Sequence, residues 1–184
     1  MGRELFLAGP GGLLAGALFA ALLAAAARSD IASRRIPNRL VGALVVAGVA
    51  AAVTVLREPV GLTRAGAGFG LALVIWLPFW LLGVLGAGDV KLAAAIGIWL
   101  GPAGVIQASV LGALAGGVLA VGVLARRGRL GPLAVSVALW AGALQRGRLT
   151  KPIASSTTDV LPYGVALAVG AVLTGWLPAT WFTL

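Results

Sequence analysis

The chain has no cysteine and no histidine. Those two absences remove disulfides, Cys/His zinc sites, thiol nucleophiles and any Ser-His-Asp triad. Charge is scarce too. Only 10% of the 184 residues are charged, against about 25% in a soluble domain, too few to cover the surface of a globule in water. The chemistries left open are those of carboxylates, hydroxyls, Lys/Arg, or none.

What is present is apolar: 60% of the residues are hydrophobic and the mean hydropathy is +1.06. The 28 glycines suit membrane helices that pack backbone to backbone. Both features predict an all-α fold, a polytopic transmembrane helical bundle with lipid as its solvent. The net charge of +9 does not mark a nucleic-acid partner. The basic residues sit between apolar segments, and no aromatics interleave with them as in a nucleic-acid groove.

A span needs about 20 mostly apolar residues, and the pattern predicts about six. They run over residues 8–27, 39–56, 66–85 (with Pro78 as a kink), a short fourth helix after residue 89, 103–124 and 160–178. The stretch 90–124 would reach about 52 Å as one helix, so Gly101-Pro102 is read as a break. Residues 131–145, with Leu133, Val137, Trp140, Ala141 and Leu144 on one face, read as an interfacial helix. The Thr157-Thr158-Asp159 cluster and Pro162 suit the start of the last helix. The segment from Leu5 to Ala27 is too long for a signal-peptide core and reads as a retained span. The six tryptophans fall mostly near predicted helix ends and read as belt residues. The whole of 1–184 is expected to form a single membrane-embedded domain.

Charge orients this arrangement. With the loop at Arg28 to Asn38 on the cytoplasmic side, eleven basic residues share that side and three, Arg3, Arg57 and Arg64, lie opposite. That is a positive-inside pattern, and it places both termini outside.

The acids are Glu4, Asp30, Glu58, Asp89 and Asp159. Glu4 and Glu58 read as solvated partners of neighbouring arginines. Asp159 is either a third acid or the N-cap of the last helix. Asp30 lies in the loop Asp30-Ile31-Ala32-Ser33-Arg34-Arg35-Ile36-Pro37-Asn38, and Asp89 in Gly86-Ala87-Gly88-Asp89-Val90-Lys91-Leu92. Taken singly, Asp30 reads as a capping residue after the first helix and Asp89 as an N-cap. Taken together they place two costly acids at one membrane face, where an acid is a functional candidate by default. Carboxylates within hydrogen-bonding reach do not both ionise readily and tend to hold one proton between them. The ionised acid then suits a general base toward water, and the protonated one an acid toward a scissile carbonyl and the departing amine. Neither metal nor cofactor is required. Gly86 and Gly88 permit close approach and unusual dihedrals beside Asp89. Lys91 either contacts substrate and tunes Asp89 or snorkels to the interface. Asn38 either orients Asp30 or caps the second helix, and Pro37 fixes the entry to that helix. Tyr163, the single tyrosine, lies near the site or anchors the interface.

These motifs, in this order and spacing, resemble the type IV prepilin peptidase family of GxGD membrane aspartic proteases. The carriers are the acid six positions before Ile36-Pro37-Asn38, then Gly86-Ala87-Gly88-Asp89-Val90-Lys91-Leu92, then Leu161-Pro162-Tyr163-Gly164-Val165-Ala166 at the start of the last helix. The resemblance covers roughly residues 15–175. It implies Asp30 and Asp89 as the catalytic pair, with Gly86, Gly88, Lys91, Pro37 and Asn38 as supporting or substrate-binding positions. It also implies cleavage of the leader of prepilins or pseudopilins, after a glycine, at the cytoplasmic face of the cell membrane, with the substrate's hydrophobic N-terminal helix left in the lipid. Long members of the family also N-methylate the new pilin end and carry Cys-x-x-Cys pairs. With no cysteine, this chain resembles the short Flp or tight-adherence peptidases, with the preflagellin peptidases as an alternative. Two readings from other classes stand beside it. One is a small transporter or channel with an acidic pathway, which would need more polar residues inside the helices than Gln107 and scattered Ser/Thr. The other is a scaffold without activity. The oligomeric state is not written in these residues.

Overall fold

The computed structural model describes residue 6 and residues 9–55, 60–83, 85–126, 128, 131, 142 and 163–176. Apart from Gly131 and Gly142, the expected interfacial helix at 131–145 lies outside those residues, as do the polar loop after it, Pro162 and the acids Glu4, Glu58 and Asp159. The chain divides into two compact units, residues 1–116 with 162–184, and residues 117–161. The first unit holds every element that bears on the acids.

The described residues are helical, with no strand among them. In chain order the helices are α1 (Gly9–Ser33), α2 (Asn38–Val55), α3 (Val60–Leu81), α4 (Ala87–Arg126) and α5 (Tyr163–Trp176). Among the described residues four stretches are long and apolar enough to cross a membrane: Gly9–Ser33, Asn38–Val55, Gly61–Leu81 and Ala87–Val123. Tyr163–Gly175 is a shorter apolar helix. Large apolar side chains such as Leu14, Val46, Val74 and Leu114 project outward, as they do when the surrounding medium is hydrocarbon rather than water.

The core gathers around the first part of α4, where all nine residues from Leu92 to Leu100 are buried. Glycine makes this possible. Gly68 of α3 and Gly97 of α4 cross with backbone on backbone, and a Cβ on either would collide with the carbonyl of the other. Such crossings let dispersion contacts and main-chain proximity hold helices together where no hydrophobic drive operates between them. Trp99 is wholly buried. It stacks on Phe19 of α1 with ring centroids 4.9 Å apart and donates its indole N–H to the Leu44 carbonyl of α2 at 2.9 Å. Trp76 is also buried and donates to Ser109 Oγ at 3.1 Å. Trp99 and Trp76 are therefore core residues and not members of an interfacial belt, because each finds a partner for its N–H inside the bundle.

Three boundaries differ from the sequence pattern. The helix predicted over 8–27 continues to Ser33, so Asp30 stands on a helix and not in a loop. No helix breaker interrupts residues 28–33. The helix stops at Arg34, whose φ of 51° is left-handed and whose N–H bonds the Asp30 carbonyl at 2.9 Å, a terminating pattern that glycine usually supplies. The hydroxyls of Ser29 and Ser33 hold the Arg35 carbonyl at 2.9 and 3.3 Å and so brace the turn. The helix predicted over 66–85 runs instead from Val60 to Leu81, with Pro78 inside it. The turn at 82–83 ends it, with Gly83 at φ 72°. The stretch 87–126 carries helix on both sides of Gly101, where φ 68° and ψ −177° break the spiral. The break expected at Gly101-Pro102 is present, and it is closed from another helix: Arg64 of α3 donates to the Leu100 carbonyl at 2.7 Å.

Candidate active site

Asp30 and Asp89 arrive from opposite helix poles. Asp30 is on the last turn of α1 and Asp89 on the first turn of α4. Gly86 opens α4 as its N-cap, since its carbonyl accepts from the amides of Asp89 and Val90 at 3.1 and 3.5 Å. Asp89 is thus the third residue of the helix and not the cap. Its Oδ2 reaches back to accept the Gly86 N–H at 3.2 Å, half of a capping box. The positive pole of α4 favours a negative charge at that position by about 0.3–1 kcal/mol.

Asp30 has no such help from its own helix. It is 6% exposed, at the negative pole of α1. What it meets is the start of α5. The amides of Gly164 and Val165 interact with the carboxyl, yet Oδ2 is buried without a hydrogen-bond partner. A Cβ built on Gly164 would lie 2.8 Å from that oxygen and 3.0 Å from Ile36 Cδ1. Gly164 is therefore what lets the acid and the helix meet.

The two acids fall within electrostatic range of each other. Ile36, in the turn between α1 and α2, lies between their supports. It packs toward Gly164 on one side, while on the other a Cβ at Gly88 would sit 3.7 Å from its own Cβ. Tyr163 completes the surroundings. It is half-buried and stands edge-on to Trp76 with centroids 5.6 Å apart. It also lies within electrostatic range of Asp89, so it belongs beside the acids.

The supporting residues sort themselves by geometry. Pro37 gives its carbonyl to the amides of Leu40 and Val41 at 3.0 and 3.3 Å and so starts α2. Asn38 Oδ1 accepts from Lys91 Nζ at 3.3 Å, a bond between exposed residues of α2 and α4. Lys91 thus pairs with Asn38, and this bond ties the helix that carries Asp89 to the start of α2. Neither Gly86 nor Gly88 has a positive φ, because one is an N-cap and the other is already helical. At Gly88 a Cβ would make an ordinary contact, whereas at Gly86 it would press on Asp89 Oδ2 at 3.3 Å. From the sequence alone, Gly164 and Ile36 have no evident role in the site. The only signal for Gly164 was its place in the Pro162-Tyr163-Gly164 segment. Among the described residues no group of three or more acidic, histidine or cysteine side chains comes together as a metal site.

The arrangement is a pair of carboxyls on apolar helices, one held by a local cap and the other pressed against a neighbouring helix start. Such a pair can share a proton and act on water. The sequence profile of the type IV leader peptidase family matches residues 17–121, which include both acids. No curated protein matches significantly, and no solved structure does. With more than half its length inside that profile, the chain belongs to the type IV leader peptidase family and is a multi-pass membrane protease for prepilin-like substrates.

Proposed function

We propose that the protein is an aspartic endopeptidase in which Asp30 and Asp89 work as one proton-sharing unit on a water molecule. The observation that carries this reading is the gathering of the two acids on either side of Ile36, 59 positions apart in the sequence, within electrostatic range of one another. One ionised carboxylate accepts a proton from water as its oxygen attacks the scissile carbonyl carbon. The protonated partner gives its proton to the carbonyl oxygen. Collapse of the tetrahedral species breaks the C–N bond. As that bond breaks, the second carboxylate takes a hydroxyl proton back from the diol and the first gives its proton to the departing amine, so the pair again holds one proton.

The substrate under this reading is a Flp-type prepilin, cut at the end of its short leader with its hydrophobic helix still in lipid. The active face is cytoplasmic in the inner membrane, a placement supported by the eleven basic residues on the side of the Asp30 turn. The chemistry draws on no metal or cofactor.

The test is leader removal from a co-expressed Flp-type prepilin, followed by gel shift. Asp30→Asn and Asp89→Asn each abolish the shift while the proteins still insert in the membrane. Full processing by both single variants would refute the assignment.

A further inference from the structure

We propose that Gly164 is a positioning residue for the peptidase reaction: its bare Cα seats the Asp30 carboxyl against the first turn of α5 and so fixes the acid's place relative to Asp89. The proposal rests on the two-aspartate reading above.

Three observations carry it. Asp30 is more than nine-tenths buried, and its Oδ2 has no hydrogen-bond partner, an unusual state for a buried polar atom. That oxygen points at Gly164, where a Cβ would stand 2.8 Å from Oδ2 and 3.2 Å from Cγ, closer than side-chain atoms pack without something shifting. The groups that meet the carboxyl there are the amides of Gly164 and Val165. They belong to the first turn of α5, where helix geometry leaves N–H groups without partners in the helix. The start of α5 thus offers donors, the end of α1 offers an acceptor that lacks one, and glycine is the residue that lets them approach. Small movements of the carboxyl along this approach change how much donor contact it has, and with it the ease of holding or giving up a proton.

The titratable and charged groups around Asp30 are Asp89 from α4 and Arg34 at the end of α1, with Tyr163 from α5 beside Asp89. None of these changes when residue 164 gains a methyl group. A Cβ at this position must displace Asp30, Ile36 or the helix start itself. Ile36 offers the escape route, because the same Cβ would lie 3.0 Å from its Cδ1, an atom that valine lacks.

The experiment measures kcat, KM and the pH profile of leader cleavage for the full-length protein in detergent, together with thermal unfolding. Gly164→Ala lowers kcat by roughly tenfold or more, leaves KM within about twofold and displaces the pH profile; misplacing a catalytic group by about 1 Å has effects of this order. The Gly164→Ala/Ile36→Val double variant recovers part of the lost kcat. Gly170→Ala is the structural control. A Cβ there presses on the Ala108 carbonyl and the Gly112 backbone, so it lowers the unfolding temperature without moving the pH profile. Should Gly164→Ala fail to fold, the double variant is read against the same criteria. Wild-type kcat and pH profile at Gly164→Ala, or a change in unfolding temperature alone as at Gly170→Ala, overturns the positioning role. Asp30→Asn separates the two ideas. If it still cleaves, the two-aspartate reading falls. If it is inactive while Gly164→Ala behaves as wild type, only the role of Gly164 falls.

Discussion

Asp89 stands at the favourable pole of its own helix, and its Oδ2 takes a backbone N–H three residues back. Asp30 stands at the unfavourable pole of its helix, buried, with an oxygen that no donor satisfies. The first is held by a local device that needs only four consecutive residues. The second is held by tertiary contact with α5, more than 130 positions away in the sequence. The difference separates two ways of presenting an acid. A capped aspartate is stable wherever its helix starts. A buried and unsatisfied one exists only because the rest of the fold keeps it there, as functional groups commonly do.

The sharpest way to divide the pair is to remove each charge and measure stability as well as cleavage. Both asparagine variants are inactive, but their unfolding temperatures in detergent move by different amounts. Asp30→Asn raises stability by about 1 kcal/mol, because it removes the charge of a buried carboxyl at the unfavourable pole of its helix. Asp89→Asn changes it by less than about 0.5 kcal/mol, because the asparagine amide oxygen still accepts the Gly86 N–H. Equal shifts of the same sign would erase the contrast. Next in size is Ile36→Ala, which opens the wall shared by the supports of the two acids. It lowers kcat about tenfold with a smaller effect on KM, measured on the same prepilin. Smaller again is Gly86→Ala. Its Cβ would meet Asp89 Oδ2 at 3.3 Å, a contact that a slight rotation relieves, so kcat falls by less than about threefold. The smallest effect belongs to Asn38→Ala. It removes an exposed bond to Lys91 of the kind worth about 0.5 kcal/mol, and it leaves cleavage within experimental scatter of wild type.

How much of this was legible follows the same division. Gly86 to Asp89 could be read directly, because capping is a matter of neighbours and the apolar run after it is obvious. The break at Gly101-Pro102 could be read from length and composition. The setting of Asp30 could not. Arg28, Ser29 and Asp30 look like a loop because they are polar, yet nothing among them breaks a helix. The serine hydroxyls can satisfy backbone carbonyls at the end, so the spiral carries the acid into the core. Gly164 and Ile36 stand in recognisable motif segments, but their part in the site lies in contacts that spacing does not encode. Trp99 and Trp76 fall near predicted helix ends and so look like belt residues in the sequence, but their burial depends on Phe19, Leu44 and Ser109 on or near other helices.

Arg64 at the Gly101 break has a consequence for how the bundle is assembled. The limb of α4 before the break is about 21 Å long, too short to cross a hydrocarbon layer of about 30 Å. The Leu100 carbonyl therefore ends at membrane depth inside the bundle, with no water to solvate it. Its donor is on α3, which the ribosome makes earlier. Arg64 lies four residues into that helix, near enough to its end to reach the membrane surface while it waits. Synthesis in this order brings a partner to the bilayer before the group that depends on it.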